Sequence, residues 1–335
     1  MRDWLRHKAS AAALVTTTLL SGGAQAPEAK PPVDKDGRPL IRKRGTIELA
    51  RFADTSLIIF RGRLYSLRWS GTMEDHYSHF VDYETGKSTP PFARGHGYTQ
   101  AFVEDDAVYV TATGGVREEE MDKVYLFVSK DLMNWDSSLI LDLPGWVIFT
   151  TPVCKAGNRH VMMLDVCRGP AEEIGTGFTC RFAASQDMKH WEMTPKECVY
   201  AKDRYTAGHF LRYMDGFFYN FYLEAHDGWE MRVVRSKNLI HWTASPLNPV
   251  LRASPDDRKL ANPNLTEEQR KRIASAKNIN NSDMSFCEYK GKTIIHYFWG
   301  DQETAPCGFA EAIYDGTERQ FLQGWFPTGV AAPTR

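Results

Sequence analysis

Three stretches of the chain share one pattern: Ser129-Lys130-Asp131-Leu132-Met133-Asn134-Trp135, Ser185-Gln186-Asp187-Met188-Lys189-His190-Trp191 and Ser236-Lys237-Asn238-Leu239-Ile240-His241-Trp242. Their serines lie 56 and 51 residues apart. A period of that length, with strand-like runs between copies, marks a propeller or another repeat array. Each copy follows an alternating strand (Val124 to Val128, Phe178 to Ala184, Met231 to Arg235) and precedes a short one, which makes it the turn between two outer strands of a blade. Its Asp or Asn can bond the backbone of the turn, and its Trp can cover the edge of the blade.

A second periodicity runs through five units. Each opens with an apolar strand, turns tightly at Gly, Asp or Asn, and returns through an aromatic-rich strand. The hairpins are Asp54 to Trp69, Tyr98 to Thr113, Thr151 to Asp165, His209 to Glu224 and Asp283 to Trp299, with end-to-end separations of 15, 15, 14, 15 and 16 residues. Together the two patterns predict an all-β, five-bladed β-propeller over residues 46–330. One segment breaks the rhythm. Residues 252–280 are charged and poor in strands, and Thr266-Glu267-Glu268-Gln269 is a capping box that starts a short helix to about Ala276. This helical insertion joins the fourth blade to the fifth and is expected on the pocket face, as a wall or lid or as a plain surface insertion.

Residues 1–26 read as a signal peptide: Arg2, Arg6 and Lys8 precede an apolar run from Ala9 to Leu20 and the small-residue cleavage site Ala24-Gln25-Ala26. The run is too short to span a bilayer, so export to the periplasm or the extracellular space is expected without membrane insertion. Residues 27–45 read as a linker. With 41 basic and 42 acidic residues the chain carries no excess of positive charge that would attract nucleic acid. Its six cysteines form no CxxC pair, which points to structural thiols or a single disulfide. No HExxH or comparable spacing marks a catalytic metal; a structural calcium in the central channel is compatible with the sequence, but no motif identifies it.

Hairpin geometry assigns one face of the disc to the start of each first strand, the end of each second strand and the loop to the third. That face receives Asp54, Trp69, His96, Tyr98, Thr151, Asp165, His209, Glu224, Asp283, Trp299 and Asp301, and the run Arg117 to Glu120 falls on its rim. Aromatic rings beside carboxylates and imidazoles suit a carbohydrate: ring faces cover the C–H surfaces of a sugar while polar groups read its hydroxyls. Glycoside hydrolysis needs two carboxyl groups flanking the bond. Asp54, Asp165, Glu224 and Asp283 are the candidates, and the apolar run Phe221-Tyr222-Leu223 before Glu224 would keep that carboxyl protonated, which favours it as the acid. Asp283, in Asn280-Asn281-Ser282-Asp283, is second. His96 and His209 are expected to bond substrate, or His209 to stand in for the acid.

The stretch from Asp54 to Tyr65 resembles the first blade of family 43 glycoside hydrolases, and the Ser-x-Asp/Asn turns are similar to those of that family and of family 32. The resemblance spans nearly all of residues 27–335. It implies that Asp54 is a general base activating water in an inverting mechanism, and that the substrate is a furanoside or pentose-like residue at a chain end or in a short oligosaccharide. The chain departs from family 43 at two positions. Thr151-Pro152 stands where the family has an aspartate at the head of blade three, and Ala207-Gly208-His209 where it has a glutamate at the head of blade four. Two other readings therefore stay open: a sugar-binding propeller without catalysis, and a phosphorolytic propeller that needs one acid carboxylate and a basic phosphate site.

Overall fold

The computed structural model describes residues 31–301 and 305–329; the signal-peptide reading and the first residues of the expected linker lie outside them. After strand β1 (Ile41–Leu49) the chain folds into five antiparallel meanders. The first is β2 (Thr55–Phe60), β3 (Arg63–Gly71) and β4 (His76–Asp82). The second is β5 (Gly97–Glu104), β6 (Ala107–Thr113), β7 (Lys123–Ser129) and β8 (Asp136–Asp142). In the third, a short β9 (Val147–Ile148) leads to β10 (Val153–Ala156), β11 (Arg159–Arg168), β12 (Thr179–Ser185) and β13 (Glu192–Met193), with β14 (Val199–Tyr200) also on β12. The fourth is β15 (Ala207–Met214), β16 (Phe217–His226), β17 (Gly228–Ser236) and β18 (Trp242–Ala244). The fifth is β19 (Asn280–Tyr289), β20 (Lys292–Asp301) and β21 (Ala305–Tyr314).

The local chemistry explains these strands. In four of the five hairpin turns both central residues take positive φ: Arg61-Gly62, Asp105-Asp106, Asp215-Gly216 and Lys290-Gly291. That geometry matches the right-handed twist of the strands they join. The three repeated turns are also alike in detail. Leu132, Met188 and Leu239 sit at φ +63°, +66° and +65°. In each copy the serine hydroxyl accepts the N–H three residues on, and the Asp or Asn side chain accepts two more from the turn. The indoles of Trp191 and Trp242 donate to the carbonyls of Met188 and Leu239.

Five hydrophobic clusters each bridge neighbouring meanders: first to second around Phe80 and Val110, second to third around Leu126 and Leu164, third to fourth around Phe182 and Tyr222, fourth to fifth around Phe221 and Phe286, and fifth to first through Ile294, Leu57 and Leu64. The clusters thus follow a closed circuit, the arrangement of a β-propeller. Strand β1 completes it by pairing antiparallel with β21, from Ile41 opposite Tyr314 to Leu49 opposite Gly308. Residues 41–45, expected as linker, therefore belong to the last sheet. Their charged sequence, Ile41-Arg42-Lys43-Arg44, hid the strand because β1 is an outer strand with few buried positions.

The insertion holds a 3-10 turn (Pro255–Arg258) and, between short helices α1 (Ala171–Ile174) and α3 (Glu318–Gly324), helix α2 (Glu267–Ser275), whose Thr266–Gln269 capping box forms as expected. None of its residues lines the central cavity, so it is neither wall nor lid there. It packs on β1 instead: Thr46 donates its N–H to the Lys259 carbonyl at 2.7 Å, and a Cβ at Gly45 would stand 2.2 Å from that same oxygen. Asp257 anchors the contact. Fully buried, it receives Lys43 Nζ and the Tyr297 hydroxyl at 2.7 Å, the Ser254 N–H and Asn278 amide at 2.8 Å, and the Asn281 amide at 3.2 Å. Removing one member of a buried, fully bonded ion pair costs about 3–5 kcal/mol. Asp257→Ala should lower the stability measured by urea unfolding by about that much, and a loss under about 1 kcal/mol would contradict the anchor.

Candidate active site

A cavity of 330 Å³ opens where the first strands begin, lined among others by Asp54, Trp69, Tyr98, Thr150, Asp165, Gly208 and Asp283. The repeated Ser-x-Asp/Asn turns lie at the other end of the strands, as the pairing of Val108 with Ser129 and of Phe218 with Ser236 requires. Three of the first strands reach the cavity through the same device. The registers of β5, β15 and β19 each slip between Gly97 and Gln100, Ala207 and Phe210, and Ser282 and Ser285. At each slip one residue takes positive φ: Tyr98 (+52°), Gly208 (+58°) and Asp283 (+49°). Such a bulge re-aims a side chain, and for a non-glycine residue it costs on the order of 1–3 kcal/mol. Tyr98 and Asp283 are aimed into the cavity this way.

Asp54 is 6% exposed and Asp165 2%. Burial, and after it the charge of Asp283, holds the Asp54 carboxyl well above the usual carboxylate range. Asp165 is pushed up in the same way, by burial first and then by Asp283 and Asp54, against the Gly208 N–H that donates to its Oδ2 at 3.2 Å. Asp283 is the charge common to both. Gly208 is wedged beside it, since a Cβ there would come 3.1 Å from Asp283 Oδ1. The lining holds three carboxyl groups and one cation, Arg51.

An aromatic arc completes the wall. Phe52 stacks on Trp69 at 3.9 Å between ring centres; Trp69 meets Tyr98 at 5.3 Å, Tyr98 meets Phe149 at 4.7 Å, Phe149 meets Phe178 at 4.8 Å, and Phe178 meets Tyr205 at 4.9 Å. All six rings line the cavity.

The other residues expected at the site lie elsewhere. Glu224 does not line the cavity: its carboxylate accepts the Tyr222 hydroxyl at 3.0 Å and lies 3.4 Å from Arg204, 3.7 Å from Arg232 and 3.7 Å from His226. This cationic setting is unlike the apolar one its sequence neighbours suggested. His209 is buried beneath the cavity floor, with Nδ1 3.0 Å from Asn220 Oδ1 and Nε2 3.2 Å from the Thr206 carbonyl and 3.9 Å from Asp165 Oδ1. Burial pushes the imidazole down to about 4, so at neutral pH it is uncharged and out of reach of a ligand. His96 bonds the Thr113 carbonyl and packs on Tyr125 and Phe127, outside the lining. Thr151 is fully buried, and its carbonyl accepts the Thr111 hydroxyl; its neighbour Thr150 faces the cavity. Trp299 is enclosed in the core between the fourth and fifth meanders, and Asp301 pairs with Lys277 at 2.7 Å. Phe52, Phe149, Phe178, Tyr205 and Gly208 were not among the expected residues; Gly208 immediately precedes one that was.

The five described cysteines are free thiols. Among the described residues no group of three or more His, Cys, Asp or Glu is arranged to hold a metal ion, and no helix is long and apolar enough to cross a membrane.

The architecture is that of the glycoside hydrolase propellers. The chain superposes on the structure of a BT0996 RGII complex with a TM-score of 0.59 at 14% identity, over 89% of this chain and 95% of that one. On Bacteroides ovatus xyloglucan PUL GH43B the TM-score is 0.53 at 10% identity, over 82% of this chain and 54% of that one. On the Bombyx mori GH32 β-fructofuranosidase BmSUC1 it is 0.52 at 9% identity, over 83% and 62%. No protein-family profile and no curated protein sequence matches the chain. The fold is thus the β-propeller found in glycoside hydrolases of families 43 and 32, shared at sequence identities where only the fold carries over.

The raised carboxyl groups have a consequence for stability. A group whose pKa rises on folding stabilises the protein fully below its unfolded value, about 3.9 for Asp, and that contribution is lost as pH climbs through the folded value. Asp165→Asn should therefore raise the thermal unfolding midpoint at pH 8 but not at pH 4. Equal effects at both would show that Asp165 ionises normally.

Proposed function

We propose that the protein is a glycoside hydrolase that removes single sugar residues from chain ends, with Asp54 as the base and Asp165 as the acid. The observation that carries this reading is the convergence of two buried carboxyl groups with raised pKa, and Asp283 as the charge acting on both, in an aromatic-lined cavity. Carboxyl groups with pKa moved toward neutrality are what general acid–base catalysis requires: one protonated to protect the leaving oxygen, one basic enough to take a proton from water. Asp165, the more deeply buried of the two, holds its proton and donates it, and Asp54 accepts the proton of the attacking water. Their origin in the first and third meanders, with Trp69, Tyr98 and Phe149 spanning the wall between them, suits a sugar and a water lying between the two groups, and so inversion. At 330 Å³ the cavity falls at the small end of ligand pockets, room for one residue and not for an internal stretch of polymer.

The roles separate by leaving group. A 2,4-dinitrophenyl glycoside departs without a proton, and a methyl glycoside does not. Asp54→Asn should reduce kcat/KM by about 10²–10⁴ on both, whereas Asp165→Asn should lose that factor on the methyl glycoside and little on the dinitrophenyl one. Equal losses for both variants on both substrates would refute the assignment. Sugar binding without turnover across a panel of furanosides and pyranosides would instead favour a binding propeller.

A further inference from the structure

Phe149 and Phe178 are half-buried, yet neither belongs to any of the five hydrophobic clusters that hold the meanders together. Their remaining apolar surface faces the cavity. Phe178 is held there at φ +55°, a conformation a bulky side chain avoids unless its surroundings impose it. The two rings meet at 52° with centres 4.8 Å apart, forming a corner beside Asp165, and Leu223 also lines the cavity. None of these three side chains can donate or accept a hydrogen bond. A sugar hydroxyl pressed into that corner would give up water and gain no partner. A methyl group there would gain burial.

From this corner we infer, resting on the hydrolase reading above, that the sugar residue bound is a 6-deoxyhexose, with its C-methyl group in the angle between Phe149 and Phe178. The polar groups that line the rest of the cavity, Asp54, Asp165, Asp283, Thr150 and the hydroxyls of Tyr98 and Tyr205, read the ring's remaining hydroxyls. Discrimination by one such apolar contact is worth about 10–200-fold in kcat/KM.

The test compares 4-nitrophenyl 6-deoxyhexosides with the hexosides of identical configuration and anomeric form. The deoxy member of a pair should be preferred at least about tenfold. Phe149→Tyr, with folding checked by thermal unfolding, should narrow the ratio by improving the parent hexoside. Turnover that favours the parents, or treats both alike, overturns the deoxy-sugar inference and leaves the hydrolase reading standing. If no pair is turned over, calorimetric titration with the free sugars decides the inference: tighter binding of the 6-deoxy sugar supports it, and equal or weaker binding overturns it, while the hydrolase reading falls only if the panel of furanosides and pyranosides is not turned over either.

Discussion

Everything at the centre of this molecule depends on the antiparallel pairing of Ile41–Leu49 with Ala305–Tyr314. A chain of hairpins laid side by side has two open edges, and each meander can bury its faces only against a neighbour. When β1 joins the last sheet, the small cluster of Leu57, Leu64 and Ile294 can close the circuit of five cores. The insertion reinforces the joint: Gly45 lets its backbone lie against β1, while Asp257 ties Lys43 on β1 to Tyr297 on β20. The first meander is thereby fixed relative to the fifth, and with it Asp54 relative to Asp283.

That fixed distance turns geometry into chemistry. Two aspartates out of water next to a third ionise only at a cost, which raises the pKa of both. The folded chain accepts this cost along with backbone strain at Tyr98, Phe178 and Asp283. Both penalties gather around one small cavity, where strain and frustrated charge are expected to serve function. The repeated turns at the opposite end share the positive φ, at Leu132, Met188 and Leu239, but carry no frustrated charge: Asp131 and Asp187 are exposed, hydrogen-bonded several times over, and held well below the usual carboxylate range.

The repeats made the fold legible in the sequence: all five units carry the inner hairpin, and three of them also carry the outer turn. The site was legible in part. Asp54, Asp165, Asp283, Trp69 and Tyr98 were placed by hairpin counting, and all five line the cavity. The counting slipped by one residue at Thr151 and His209, because the third unit starts at the short β10, after Pro152, and the fourth carries a bulge at Gly208. One residue along a strand reverses the face, so Thr150 and Gly208 took the cavity positions. Glu224 departs from expectation for another reason: the strand around it is apolar, but its partners, Arg204 and Arg232, come from a loop and a neighbouring strand whose registers sequence does not specify. Of the Phe149–Phe178 corner, Phe149 sits in a connection without periodic signal, while Phe178, expected as the first residue of an alternating strand, lies just before the strand that begins at Thr179.

Burial and mutual charge hold the Asp165 carboxyl well above the usual carboxylate range. Carbon-13 labelling of aspartate carboxyl groups, assigned by Asp54→Asn, Asp165→Asn and Asp283→Asn, reads each protonation state directly by NMR across a pH titration. The Asp165 carboxyl carbon is expected to remain in its protonated position at pH values where an unperturbed aspartate has ionised. An Asp165 resonance that titrates together with the surface aspartates would contradict it.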